Sequence, residues 1–91
     1  MLKIDTHNED ATIIFDLEGK LAGPEVDELE RCWQQAVTDN RRVRVVLKIV
    51  TFIDAAGIRL LTDMHRRGAD LVAQGCMTKA IVEEIKRKGE G

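Results

Sequence analysis

Apolar and polar positions alternate along this chain with two different periods. Leu2 and Ile4 alternate with Lys3 and Asp5, the period of a short half-buried strand. The polar stretch His7-Asn8-Glu9-Asp10 predicts a turn. Ala11, Ile13, Phe15 and Leu17 then share one face of a second strand, most simply the return arm of a hairpin. Gly19 to Pro24 predicts a loop, with Pro24 at the first position of a helix, where its missing N–H is not needed. Glu25, Asp27 and Glu28 fall near the positive end of that helix's dipole. Val26, Leu29, Trp33, Ala36 and Val37 recur at helical spacing, so the helix runs to about Val37 and ends at Thr38-Asp39-Asn40.

Val43, Val45, Val46, Leu47, Ile49 and Val50 form the most β-branched stretch, apolar on both faces, which predicts a central strand covered on two sides. Asp54 is a good N-cap for a second helix carrying Ile58, Leu61 and Met64 on one face. Gly68 suits a left-handed cap at its end. Leu71-Val72-Ala73 predicts a short strand. Thr78 is the expected cap of a last helix bearing Ile81, Val82 and Ile85, with Lys86, Arg87 and Lys88 at its negative end and Gly89 as its stop.

The resulting order, β-β-α-β-α-β-α, predicts an α/β fold: a mixed sheet of about four strands flanked by three helices and joined by right-handed crossovers. Residues 1–91 fit one domain without linker or repeat. Partners of such sheets meet loops at the carboxyl ends of strands, which directs attention to Thr51–Gly57.

Charge and composition then narrow the function. The formal net charge of −2 lacks the excess of Lys and Arg that a nucleic-acid ligand needs to displace counterions. One Trp, two Phe and no Tyr offer no stacking platform for single strands. No apolar run approaches a membrane span, because Arg44, Lys48 and Thr51 interrupt Val43–Ile53. Met1–Asp5 reads as an edge strand and not as the apolar core of a signal peptide, so the expected location is the cytoplasm. There Cys32 and Cys76 are expected as reduced, partly buried packing residues.

Enzymatic chemistry finds few residues to carry it. Nothing here combines a nucleophile, a base and an orienting group in a recognisable pattern. His7 and His65 are the only histidines, and no Cys/His spacing fits a metal site, so neither cofactor nor metal is expected. Gly19–Gly23 lacks both the Gly-Lys-Ser/Thr ending and the Gly-x-Gly-x-x-Gly pattern of phosphate-cradling loops.

One stretch is more specific. Val50-Thr51-Phe52-Ile53-Asp54-Ala55-Ala56-Gly57-Ile58 resembles the signature of STAS domains, the family of anti-sigma factor antagonists, in which an apolar strand ends in Phe-(Ile/Met)-Asp-Ser-Ser-Gly-(Leu/Ile). Gly19-Lys20-Leu21 is similar to the family's Gly-x-Leu step, and Gly68-Ala69-Asp70-Leu71-Val72 to its Gly-x-x-(Leu/Val) strand. The resemblance implies a non-enzymatic protein-interaction module that binds an anti-sigma factor or serine kinase. An alternative is a structural subunit bracing a transporter ATPase or a stress-signalling scaffold. It also implies a partner surface of Lys20, Ala22, Gly23, Asp54, Ala55, Ala56, Gly57, Ile58 and Arg59.

The sequence departs from the family pattern at the switch. Ala56 occupies the position of the phosphorylated serine, Ala55 its neighbour, and the chain contains no serine. Val46 and Ala22 replace residues that are commonly acidic. A phosphate there would add about two negative charges to the surface that meets the partner. Ala56 cannot accept one, so the expected behaviour is constitutive binding. Thr51 and Thr62 need no regulatory reason, since strand and helix positions account for them.

Overall fold

The first two strands form the expected hairpin, but both outrun their apolar stretches. The structure, a computed structural model, describes residues 1–90. Strand β1 spans Leu2–Glu9 and β2 spans Thr12–Leu21. His7, Asn8 and Glu9 do not turn; they pair with Ile14, Ile13 and Thr12. An antiparallel ladder is made by backbone groups, so an exposed polar side chain does not end it. The reversal falls one step later, at Asp10, whose φ of 56° is one that Asp tolerates. At its far end β2 continues through Gly19-Lys20-Leu21, where a loop is predicted from composition.

Helix α1 covers Pro24–Thr38, with Pro24 opening it and Glu25 and Asp27 in its first turn, as the pattern predicts. Val26, Leu29, Trp33 and Ala36 are buried. Val37, expected on the same stripe, is exposed. Strand β3 (Arg42–Ile53) pairs parallel to β2, β4 (Asp70–Ala73) pairs parallel to β3, and the sheet order is β1-β2-β3-β4. Helix α2 spans Ala55–Arg66 and α3 spans Cys76–Glu90. Gly68, at φ 96°, terminates α2 as expected, with the Gly68 and Ala69 amides donating to the His65 and Met64 carbonyls.

Two details of α3 differ from expectation. The helix begins at Cys76, so Thr78 lies inside it, buried, and donates its hydroxyl to the Gly75 carbonyl at 3.0 Å. Gly89 does not stop it; the helix continues to Glu90. A glycine late in a helix costs only about 1 kcal/mol against Ala, which is too little to end one by itself.

The larger correction concerns β3. Phe15, Leu17, Val43, Val45, Leu47, Val50 and Leu71 point into one core with α1, α2 and α3, in which α1 packs on α2 and α2 on α3. Among the described residues the opposite sheet face carries no layer: Ile49 is 61% exposed and Phe52 51%. The central strand is therefore covered on one side only. Its run is apolar on both faces because Val46, Ile49 and Phe52 lie on the open side, and two extra residues in β3 decide which positions these are. Lys48 and Thr51 have no partner on β2, since Glu18 pairs with Ile49 and Lys20 with Phe52. Each bulge resets the alternation, so Leu47 and Val50 both point inward although three positions apart.

Candidate functional site

Because β2 and β3 run parallel, their carboxyl ends lie at the same margin of the sheet, with Leu21 opposite Ile53. The chain leaves β2 through Ala22-Gly23 into α1 and leaves β3 through Asp54 into α2. The connection predicted as a loop from Thr51 to Gly57 is thus a single residue, since Thr51, Phe52 and Ile53 belong to the strand and Ala55 already opens the helix.

Asp54 joins the two connections. Its backbone is extended, and Oδ1 accepts the Gly57 amide hydrogen at 2.7 Å, the N-cap bond expected from the sequence. Oδ2 accepts from the Gly23 amide at 3.0 Å, while the Asp54 amide donates to the Leu21 carbonyl at 3.1 Å. These bonds hold the carboxyl below its ordinary value; the Gly23 amide is the largest cause and the Gly57 amide the next. The Ala56 amide and the Arg59 charge act in the same direction, and burial opposes them. Gly23 adopts φ 60°, ψ −137°, a region almost closed to other residues, and this aims its N–H at Asp54.

Gly57 is buried, and the reason is close approach. A Cβ at this position would lie 2.8 Å from both the Leu21 carbonyl oxygen and Ile53 Cγ2. The amino end of α2 is thereby seated on the end of β2. Among the sequence-derived partner residues, Lys20, Gly23, Ala55, Ile58 and Arg59 are exposed, and Ala22, Asp54 and Ala56 are half-buried. The structure brings all of them to one margin of the sheet. Gly57 alone does not reach the surface; it packs inside the site.

Sequence reasoning missed two contributors to this margin. Phe52 stands opposite Lys20 on the open sheet face, with Ile49 one step before it on the same face. Their signal was the spacing Val46, Ile49, Phe52, readable only once the bulges are known. On the helical side, Ile58 is 37% exposed and not part of the core; its place on the inward face is taken by Leu60. Ile58 borders a groove of about 370 Å³ between α2 and α3, lined also by Thr62, Ile81 and Ile85.

No group of His, Cys, Asp and Glu among the described residues is arranged to hold a metal ion. Cys32 is half-buried, but Cys76 is exposed, so the expected packing role does not hold for it. No described helix is long and apolar enough to cross a membrane.

The architecture is that of the SpoIIAA-like, or STAS, fold: a four-stranded mixed sheet and three helices in the order β-β-α-β-α-β-α. Among solved structures, an anti-sigma factor antagonist from Mycobacterium paratuberculosis superimposes with a TM-score of 0.81 at 17% identity, over 97% of this chain and 80% of that one. An uncharacterised DUF3478-family protein with a SpoIIAA-like fold from Shewanella loihica superimposes with a TM-score of 0.58 at 9% identity, over 85% of this chain and 70% of that one. At such identities the likeness is one of fold. No family model matches the sequence, and no curated protein does.

Proposed function

We propose that this chain is a non-enzymatic, cytoplasmic interaction module of the anti-sigma factor antagonist type, one that binds its partner constitutively. The partner is an anti-sigma factor or serine kinase. The supporting observation is the margin built by Asp54, which locks the β2 and β3 exits together with Ala55 and Ala56 at the amino end of α2. In that position a phosphorylated side chain would sit at a helix amino end and place its charge on the contact surface. With Ala56 there, the surface keeps the charge of the unphosphorylated state.

Contact area comes from Ile58 and the groove beside it, and Phe52 is a further exposed apolar side chain at this margin. Lys20 and Arg59 flank it, so the favoured partner presents carboxylates around an apolar centre. Arg59 and Lys20 set association rate and orientation more than affinity.

The test is calorimetric titration of an anti-sigma factor kinase from the same genome with wild type, Ala56→Asp and Ala56→Ser. The aspartate variant should bind at least about tenfold more weakly, one buried repulsive charge being worth more than 1.4 kcal/mol. The serine variant should bind as wild type does. Equal affinity for all three removes Ala56 from the contact surface and overturns the proposal.

A further inference from the structure

The two lateral edges of the sheet differ in what they offer a second chain. Strand β4, at one edge, has four residues. Strand β1, at the other, has eight and packs chiefly against β2. The Lys20 amide donates to the Met1 carbonyl at 3.1 Å, which makes Met1 and Lys20 a hydrogen-bonded pair of the antiparallel ladder. Alternation from that pair directs the backbone groups of Lys3, Asp5, His7 and Glu9 towards β2. Those of Leu2, Ile4, Thr6 and Asn8 point out of the sheet, and none bonds elsewhere among the described residues. Such an edge is a template for another strand.

The side chains along β1 decide which strand fits. Ile4 pairs with the core residue Leu17, so Lys3, Asp5, His7 and Glu9 lie on the open sheet face. A second β1 laid antiparallel and centred on Thr6 sets Lys3 against Glu9 and Asp5 against His7, each twice by symmetry. Thr6 meets its own equivalent and Ile4 meets Asn8. The charged pairs fall at the non-hydrogen-bonded positions of the new ladder, where side chains come closest. Lys3 and Glu9 are charged at neutral pH, and His7 adds a second attraction when protonated. Neighbouring registers lose this match. Centring on Asp5 opposes Asp5 to itself, and centring on His7 opposes Asp5 to Glu9. Charges on an edge strand commonly repel a second copy, whereas this alternation accepts one in a single register.

We infer that β1 pairs with β1 of a second copy of this chain, antiparallel about a twofold axis at Thr6, joining two sheets into one. Burial on the helical side adds to the backbone bonds. Leu2 and Ile4 are only half-buried in the single chain. Beside Thr6 lies a groove of about 380 Å³ lined also by Ile13, Phe15 and Ala36, whose floor the added strand extends. A strand of uniform charge would meet a repelling position for every attracting one, so the alternating copy is favoured. One strand pair buries less than a standard interface, and the dimer is therefore weak and concentration-dependent. None of the residues of the proposed partner surface takes part, so the two readings stand or fall separately.

The experiment is sedimentation equilibrium of the full chain at neutral pH and low ionic strength, from micromolar to millimolar concentration. A reversible monomer–dimer equilibrium is expected. Glu9→Lys opposes lysine to Lys3 at both symmetric positions, yet within its own chain faces only Thr12 across the ladder. It should weaken dimerisation about fivefold or more, as should Lys3→Glu. The double variant Lys3→Glu/Glu9→Lys should restore it, which a merely structural effect of either change would not do. Amide hydrogen exchange at Ile4, Thr6 and Asn8 should slow as concentration rises. A chain that stays monomeric at millimolar concentration would overturn the inference. So would a dimer indifferent to both single substitutions, one not rescued by the double variant, or one abolished by Phe52→Lys, which would put the contact on the open sheet face.

Discussion

The Asp54 carboxylate and the Gly23 amide, 31 positions apart in sequence, meet at 3.0 Å and tie the exit of one parallel strand to the exit of the next. The same side chain caps α2, so one residue performs a local and a long-range task. Substitutions separate the two. Asp54→Asn keeps one carbonyl oxygen as cap but loses the second acceptor, whereas Asp54→Ala loses both. Thermal midpoints should fall in the order wild type, Asp54→Asn, Asp54→Ala; an asparagine variant as stable as wild type would mean that the bond to Gly23 contributes nothing.

The same bonds fix the sign of an acid dependence. The folded-state value of Asp54 lies below its ordinary 3.8, so the unfolded chain takes up this proton first. The stabilisation is fully present above the unfolded value and is lost as pH falls from there through the folded one. Urea denaturation below pH 4 should therefore show a shallower loss of stability for Asp54→Asn than for wild type.

Gly57→Ala sets helix propensity against packing. Propensity alone favours alanine inside a helix by about 1 kcal/mol. Against this, the new methyl meets the Leu21 carbonyl oxygen and Ile53 Cγ2, each at 2.8 Å, and the carbonyl is backbone that cannot swing aside. Overpacking of this kind costs about 1–3 kcal/mol. Equilibrium urea denaturation should show a net loss of stability, where propensity alone predicts a gain.

How far the sequence disclosed this molecule depended on whether each cause was local. The element order was legible because apolar periods are local, as were the Asp54 cap, the Pro24 start of α1 and the Gly68 stop of α2. Strand ends were not: His7 and Asn8 are polar and exposed yet held by backbone pairing within the hairpin, and Lys20 pairs with the distant Phe52. The bulges at Lys48 and Thr51 were hidden for the same reason, and with them the outward direction of Phe52. At the candidate site, the cap bond from Asp54 to Gly57 could be expected, but the bond to Gly23 required the fold. The burial of Gly57 likewise depends on Leu21, which chain order places far away.

The uncovered sheet face makes a stability prediction of its own. Ile49→Lys and Phe52→Lys alter side chains that are more than half exposed, so each should change the free energy of unfolding by no more than about 0.5 kcal/mol. Leu47, on the same strand but fully buried, should lose about 2–5 kcal/mol on replacement by alanine. The buried indole of Trp33 in α1, with the Arg67 guanidinium 5.5 Å from its ring centre, supplies the fluorescence signal for these denaturation curves. A large loss at Ile49 or Phe52 would show a second layer on that face.

Ala56 is the position where folding and binding must be told apart. It is the second residue of α2 and half-buried against the edge of the core. An aspartate there gains from the helix dipole but stands close to Asp54, whose carboxyl its charge would push up. The two effects oppose each other, and the thermal midpoint of Ala56→Asp should correspond to a stability within about 1 kcal/mol of wild type. Acid titration of the variant followed by carboxyl NMR should show Asp54 protonating at higher pH than in wild type. If both hold, weaker partner binding by the variant reports charge at the surface and not a damaged fold. If the variant unfolds, Ala56 belongs to the core, and the margin around Asp54 is a structural joint without a docking role.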